Sequence, residues 1–451
     1  MGDRSAIPTH GSRFANYRAF AAGPPRFIRE VARRGPIVRV PFFHTSFVVL
    51  NECEGVEEVV VRQHASLEKD VTSHRLREFL GHGLLTGEGE HWKRQRRLIQ
   101  PAFHRRRIAG YADVMVRLAE ASMPAWGSAE ARDVHADLAG LTLEIVGETL
   151  FGADVRGATE AVGEALELTM GRYAGEHYGG LLPLWVPTRH NRRIVAAIRR
   201  VDAVIQGIIG ERRASGAETD DLLSMLLHAQ DEDGSRMSDA QLRDECLTLF
   251  LAGHETTALA TSYAIFLLAC HPEIQEEVAA ELDAVLGART PTIDDVSRLH
   301  ATTRALKEGM RLYPPAWSIG RQAMRPVHVG GHDLPAGTQF AIFQYGLHRD
   351  PRHFPEPERF LPGRWTEDFE RSLPKLAYMP FGAGPRICIG NTFAMVEGVL
   401  LLACLLRRFH VELAQAPHLD LLFSITLRPS AGVRVRLRPR KPAAAELARA
   451  G

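Results

Sequence analysis

The stretch Phe381-Gly382-Ala383-Gly384-Pro385-Arg386-Ile387-Cys388-Ile389-Gly390 runs directly into an apolar segment that begins near Asn391. A cysteine in a glycine-bounded loop at a helix start is a place for a thiolate. Helix-terminal N–H groups lack intrahelical partners there, and the helix dipole adds partial positive charge. Gly384 and Gly390 permit backbone angles and a close approach that a side chain would block, which suits a flat, bulky group lying against the loop. One cysteine does not complete a zinc or iron–sulfur site, whereas one thiolate suffices as the axial ligand of a haem iron. The competing reading of a lone cysteine is a small buried hydrophobe.

A second constraint lies inside the long helix expected over Asp239 to Cys270, at Ala252-Gly253-His254-Glu255-Thr256-Thr257. Glycine and paired threonines disfavour a helix interior by several tenths of a kcal/mol each or more, roughly, so something other than helix stability selects them. A Thr256 hydroxyl can bond the Ala252 carbonyl four residues back, loosening the ladder and admitting a water. Small residues at 252 and 253 let a ligand approach the backbone. A Glu–Thr pair suits proton delivery to bound oxygen in a dry pocket; the competing reading is a helix kink with a satisfied glutamate. His254-Glu255 does not open a His-Glu-x-x-His zinc site, because the second histidine position is Ala258. His348-Arg349-Asp350 imitates a kinase triplet but has Pro355 where asparagine is needed and no upstream Gly-rich loop, and no Gly-x-Ser-x-Gly elbow occurs.

The 451 residues are 45% hydrophobic with net charge +1, enough for a large core and without a charge that suggests a partner. Five cysteines, at 53, 246, 270, 388 and 404, have neither disulfide-framework nor zinc spacing. They suit a reducing compartment, and Met1 to Gly23 lacks an apolar run, so a cytoplasmic chain without a membrane anchor is expected. Residues 1–23 read as an N-terminal extension, 24–440 as one domain and 441–451 as a loose tail. Strand-like runs at Ile37 to Pro41 and Ser46 to Leu50 precede an amphipathic stretch near Gly55 to Gln63. Further helices are expected over His91 to Gln100, Ile108 to Met123, Asp137 to Leu150, Arg192 to Arg213, Pro272 to Leu286, Thr303 to Leu312 and Thr392 to Phe409. Turns of a small sheet are expected between Val327 and Phe343, and a hairpin region over Leu422 to Leu437. The fold class is mainly α with small β-sheets.

Together these segments resemble the cytochrome P-450 family of haem-thiolate monooxygenases, in its soluble bacterial type. Phe-x-x-Gly-x-x-x-Cys-x-Gly is similar to the family's haem signature, and the hexapeptide at 252 to its oxygen-activation motif. Glu308-Gly309-Met310-Arg311 and Pro357-Glu358-Arg359-Phe360 resemble its Glu-x-x-Arg and Pro-Glu-Arg-Phe elements. The resemblance covers nearly the whole chain. It implies the P-450 fold, with haem b between the long central helix and the helix after Cys388. Cys388 would ligate the iron, and Phe381, Gly382, Gly390, Ala252 and Gly253 would flank the haem. Trp92, Arg96, Arg321 and Arg386 match positions that bind its propionates. Glu255 and Thr256 would organise proton delivery. Glu308, Arg311 and Arg359 would form a buried ionic triad that holds the cysteine loop, a structural role.

The implied reaction inserts one atom of O2 into a C–H or double bond and releases the other as water. Two electrons would come from NAD(P)H through a ferredoxin or flavodoxin and its reductase. The run from His91 to Ala112 holds no acid and seven basic residues, including Lys93, Arg97, Arg105 and Arg106. Nucleic-acid binding fits a neutral chain poorly, a solvated basic face is the plain alternative, and docking of an acidic electron carrier is the reading adopted. The pocket is expected from Leu67 to Leu85, Leu166 to Pro187, Leu251 and Ala252, Ala316 to Ile319, and Phe423 to Ile425. These segments are largely apolar, which favours a terpene, fatty acid, steroid or polyketide. A monomer is expected. The rivals are a peroxide-driven peroxygenase of the same fold, whose members generally lack the Glu–Thr pair, and a haem-thiolate sensor.

Overall fold

The computed structural model describes residues 6–42, 45–127, 130–158, 162–165, 168, 182–216, 219, 221–229 and 236–440. The expected tail at 441–451 and most of the pocket segment from Leu166 to Pro187 lie outside these residues. The longer helices are α1 Arg13–Ala22, α2 Pro24–Ala32, α3 Gly89–Ile99, α4 Arg105–Trp126, α5 Val134–Phe151, α6 Arg189–Ser215, α7 Asp239–Cys270, α8 Pro272–Leu286, α9 His300–Leu312 and α10 Asn391–Arg408. The strands are β1 Ile37–Phe42, β2 Thr45–Leu50, β3 Leu67–Glu68, β4 Arg132–Asp133, β5 Ile319–Ala323, β6 Val327–Val329, β7 His332–Leu334, β8 Gln339–Ile342, β9 Phe409–Leu413, β10 Leu421–Phe423, β11 Leu427–Pro429 and β12 Arg434–Pro439. The chain divides into two units, Met1–Arg77 with Arg311–Cys388, and Glu78–Met310 with Ile389–Gly451.

The first unit is built on a five-stranded sheet of order β1-β2-β8-β5-β3. β1 and β2 pair antiparallel, with Val38 opposite Val49, and β2 runs parallel to β8, with Val48 opposite Phe340. Their β-branched and aromatic residues are buried on both faces of the sheet: Val48, Phe340 and Ile342 are wholly buried beside Val56 and Val59, and Val38, Val40 and Val49 pack with Phe27 and Val31. The expected N-terminal extension is tied to the sheet: His10 N donates to the Arg39 carbonyl at 2.9 Å, and the Asn16 side-chain amide donates to the carbonyls of His10 and Pro41. β6 and β7 form a hairpin that turns at Gly330-Gly331.

The second unit is helical, with α7 packed against α5 and α10, and α10 against α4. Ser238 and Gln241 close a reciprocal cap at the start of α7, and Pro272 opens α8 immediately after its end. Those two helices occupy the residues expected of them. α4 extends three residues beyond the expected span at each end, over Arg105-Arg106-Arg107, which carry no apolar periodicity, and over Pro124-Ala125-Trp126, where the helix runs through a proline. The terminal region divides in two. β10 and β11 make a hairpin, while β12 joins β4 and β9 in a separate sheet. Among the described residues no helix is long and apolar enough to cross a membrane.

Candidate active site

In the first unit the cysteine loop is fixed by its own backbone. Cys388 N donates to the Phe381 carbonyl at 2.9 Å, Gly382 N to Met379 at 2.9 Å and Ile387 N to Gly384 at 3.0 Å. Gly382 and Gly384 take φ of +71° and +67°, values that a side chain resists. A Cβ on Gly384 would lie 2.0 Å from the Val60 carbonyl oxygen, in the π-helical turn Glu58–Arg62. Gly384 therefore admits protein backbone where the sequence suggested a cofactor. Gly390, with φ of −93°, needs no special conformation. Of the five cysteines Cys388 is the exposed one. Burial pushes the thiols of Cys246, Cys404 and Cys270 up, the last to about 11. Phe381, Gly382 and Arg386 stand beside Cys388 in the same partly exposed loop.

Behind the loop, Arg311 is wholly buried. Its guanidinium donates to the carbonyls of His348 at 2.9 Å, Pro357 at 2.7 Å and Arg359 at 3.0 Å, with its carbon 5.3 Å from the centre of the Phe354 ring. His348 Nε2 accepts the Met379 N–H at 3.0 Å, and the Gln344 amide donates to the Met379 carbonyl. The brace thus reaches the first residues of the cysteine loop through His348 and Gln344, which sequence reasoning missed. Glu308 is wholly buried, as expected. Arg359 corrects the expected triad: its side chain is 64% exposed and pairs with Glu356, three residues earlier, so it contributes a carbonyl and no buried charge. Arg364 reaches back instead, donating to the Pro355 carbonyl at 2.9 Å. The signal was present, since an arginine followed by an aromatic ring occurs twice, at Arg359-Phe360 and Arg364-Trp365.

In the second unit α7 is buried along most of its length, and Ala252, Gly253 and Thr256 are its accessible central positions. Thr256 Oγ1 donates to the Ala252 carbonyl at 2.8 Å, the bond expected of it, and the helix nonetheless continues unbroken. Gly253 answers to packing, because a Cβ there would come within 2.8 Å of Val146 Cγ2 on α5. Glu255 is 2% exposed, and its Oε1 lies 2.7 Å from Arg428 Nε. Arg428 belongs to β11, and the Tyr263 hydroxyl also donates to that strand, at Leu427 O, 2.8 Å. The hairpin that carries Ile425 at its turn is therefore tied to α7 beside the acid. His254 faces the core, its Nδ1 on the Phe250 carbonyl at 2.9 Å, and burial lowers its pKa. Glu397 of α10 is wholly buried, and burial pushes its carboxyl up to about 8. The nearby Thr257 hydroxyl counters this only partly, being directed to the Gly253 carbonyl at 3.3 Å.

Comparison with known proteins places this geometry. The Cytochrome P450 family matches residues 7–433. Cyclooctatin synthase of Streptomyces melanosporofaciens is 35% identical, over 97% of this chain and 93% of that protein. Cyclooctat-9-en-7-ol 5-monooxygenase of the same organism is 32% identical, over 90% and 88%. Pentalenene oxygenase of Streptomyces avermitilis is 30% identical, over 97% of each chain.

The chain belongs to the cytochrome P450 family. It is a haem-thiolate monooxygenase, as the shared family and its oxygenase relatives show. The remaining P450 candidates fall into two groups. Trp92, Lys93, Arg96 and Arg97 surround one shallow surface cavity on α3, with Gln100, Pro101 and His104. Trp92 is buried, and the Arg96 guanidinium carbon stands 5.8 Å from the centre of its ring. Lys93, Arg97, Arg105 and Arg106 are exposed. In the first unit Arg321 is 8% exposed and donates to the Gly320 carbonyl at 2.7 Å, while Ile319 is half-buried. Leu251 is buried at 7% exposure.

Proposed function

We propose that this P450 oxidises a terpene-class small molecule, inserting one oxygen atom of O2 with electrons from a separate carrier protein. Cys388 is the proposed iron ligand. What supports this is its exposed thiol at the end of a loop held at Met379, Phe381 and Gly384. Each unit carries groups whose chemistry suits a haem: the Cys388 thiol and buried Arg321 in the first, and in the second Trp92 with Arg96 for propionates and small residues at 252 and 253 on α7. When bound, the haem supplies the oxygen-activating chemistry.

The chain's own residues position and move protons. The proton on Thr256 Oγ1 is directed to the Ala252 carbonyl, so that oxygen is free to accept a hydrogen bond and hold a water in place. Arg428 balances the charge of Glu255. Its Nε approaches Oε1 to 2.7 Å but its hydrogen bond goes to Oε2, at 3.4 Å, so Oε1, which has no hydrogen-bond partner among the described residues, is the oxygen suited to carry a proton to Thr256. The Glu–Thr pair favours O2 over peroxide as the oxidant. An acidic ferredoxin or flavodoxin, fed by NAD(P)H, suits the exposed cations of α3 and α4.

The substrate reading rests on the relatives that act on cyclooctat-9-en-7-ol and pentalenene and on the apolar residues Leu251, Ile319 and Ile425. Terpenes added to the purified haem protein are expected to shift the iron from low to high spin, and a surrogate ferredoxin system to support NAD(P)H-dependent product formation. Cys388→Ala is expected to abolish the thiolate-type CO difference band. A surviving band would overturn the ligand assignment, and turnover with peroxide alone would overturn the electron route.

A further inference from the structure

α7 carries two sets of buried polar side chains on different faces. At 3.6 residues per turn, positions 245, 248, 252 and 256 fall within a sector of roughly 80°. Thr257 and Thr261 lie away from that sector. The first set therefore shares the face of Ala252 and Thr256, the accessible centre of the helix. Glu245 is wholly buried and Thr248 is 3% exposed. Glu245 Oε2 accepts the Leu84 N–H at 2.8 Å, while its Oε1 has no hydrogen-bond partner among the described residues. Thr248 Oγ1 has none among them either, although Thr256 on the same face returns its proton to the helix.

The loop of residues 81–84 packs over this face and is anchored to it. His82 N donates to Asp244 at 2.7 Å, so consecutive acids of α7 fix the loop at His82 and Leu84. Between them Gly83 lies so close that a Cβ would stand 2.3 Å from Thr248 Oγ1. Burying a polar atom without a partner costs about 1–3 kcal/mol. Two such atoms one helical turn apart, in a helix with good apolar alternatives, point to a partner beyond the described residues.

We propose that Glu245 and Thr248 form a polar subsite that hydrogen-bonds an oxygen already present on the substrate. That oxygen is a hydroxyl or keto group on an otherwise apolar skeleton, held on the order of 10 Å along α7 from the carbon that is oxidised beside Thr256. The inference rests on the terpene-oxidation reading above and narrows it to an oxygenated terpene. Burial pushes the Glu245 carboxyl up to about 8, so at neutral pH it carries a proton and Oε1 can donate to a substrate oxygen. Thr248 can donate or accept. The reaction that supplies such a substrate is an earlier oxygenation of the skeleton, or a cyclisation ended by water.

The test is spin-state titration of the haem protein with a hydrocarbon and an alcohol of related skeleton, cedrene and cedrol, for the native chain, Thr248→Val and Glu245→Gln. The native chain is expected to bind cedrol more tightly than cedrene. Thr248→Val, which keeps shape and removes one hydroxyl, should weaken cedrol about tenfold and leave cedrene unchanged. Glu245→Gln keeps both a donor and an acceptor and should retain the preference. Equal binding of the two compounds by the native chain, or equal weakening of both by Thr248→Val, would overturn the subsite. No spin shift with either compound would overturn the terpene reading and the subsite with it.

Discussion

Residue by residue, this site separates groups that hold position from groups that handle protons. Thr256 is the clearest of the second kind, because its hydroxyl proton already has an acceptor and its oxygen lone pairs remain available. Thr256→Ala is expected to keep the thiolate-type CO spectrum while diverting electrons to hydrogen peroxide, measured as peroxide formed per NAD(P)H consumed. Unchanged coupling would remove its proton role. Arg428 is of the first kind. Replacing it with leucine leaves a carboxylate that is 3% exposed without its counter-charge. The expected loss is on the order of 2–3 kcal/mol, at the low end for buried pairs because Arg428 is itself 21% exposed. Chemical denaturation would measure it, and adding Glu255→Gln should recover most of it. Arg428 was not legible in the sequence as a partner of Glu255, since the two meet only after segments 173 residues apart have folded together.

At the scale of elements, α10 and α7 enclose a titratable group in their shared core. Glu397 binds its proton up to about pH 8 in the folded chain, against 4.5 for a free glutamate. Between those values the folded state holds a proton that the unfolded state has released, so stability falls as pH rises through that window. Glu397→Gln should flatten the change in melting temperature between pH 5 and pH 8; an unaltered slope would count against the buried acid. Helix limits were the most legible feature, because Ser238, Gln241, Pro272 and Gly287 are local signals of where a helix starts or stops. The roles of glycines were not. Gly253 and Gly384 read as room for a ligand, yet each makes room for protein, Val146 and the Val60 carbonyl. A sequence shows that a side chain is missing and does not show what fills its place.

Across the whole molecule, net charge +1 conceals an uneven surface, with exposed Arg105 and Arg106 adding to Lys93 and Arg97. Reversing the charge at Arg105 and Arg106 should slow reduction by an acidic ferredoxin severalfold at low ionic strength and much less at high salt, because exposed charges are screened beyond about 10 Å at 0.1 M. A rate insensitive to salt would place the carrier on another face. The family motifs were legible across the full length because they are short and occur in order, whereas the substrate's identity is spread over segments with no local signature. The hairpin of β10 and β11 joins these scales. Ile425, a candidate for substrate selection, sits three residues from Arg428, which neutralises Glu255. A directed-evolution library at Ile425 should therefore trade regioselectivity against electron economy, and its most selective members should be screened for wasted NAD(P)H as well as for product.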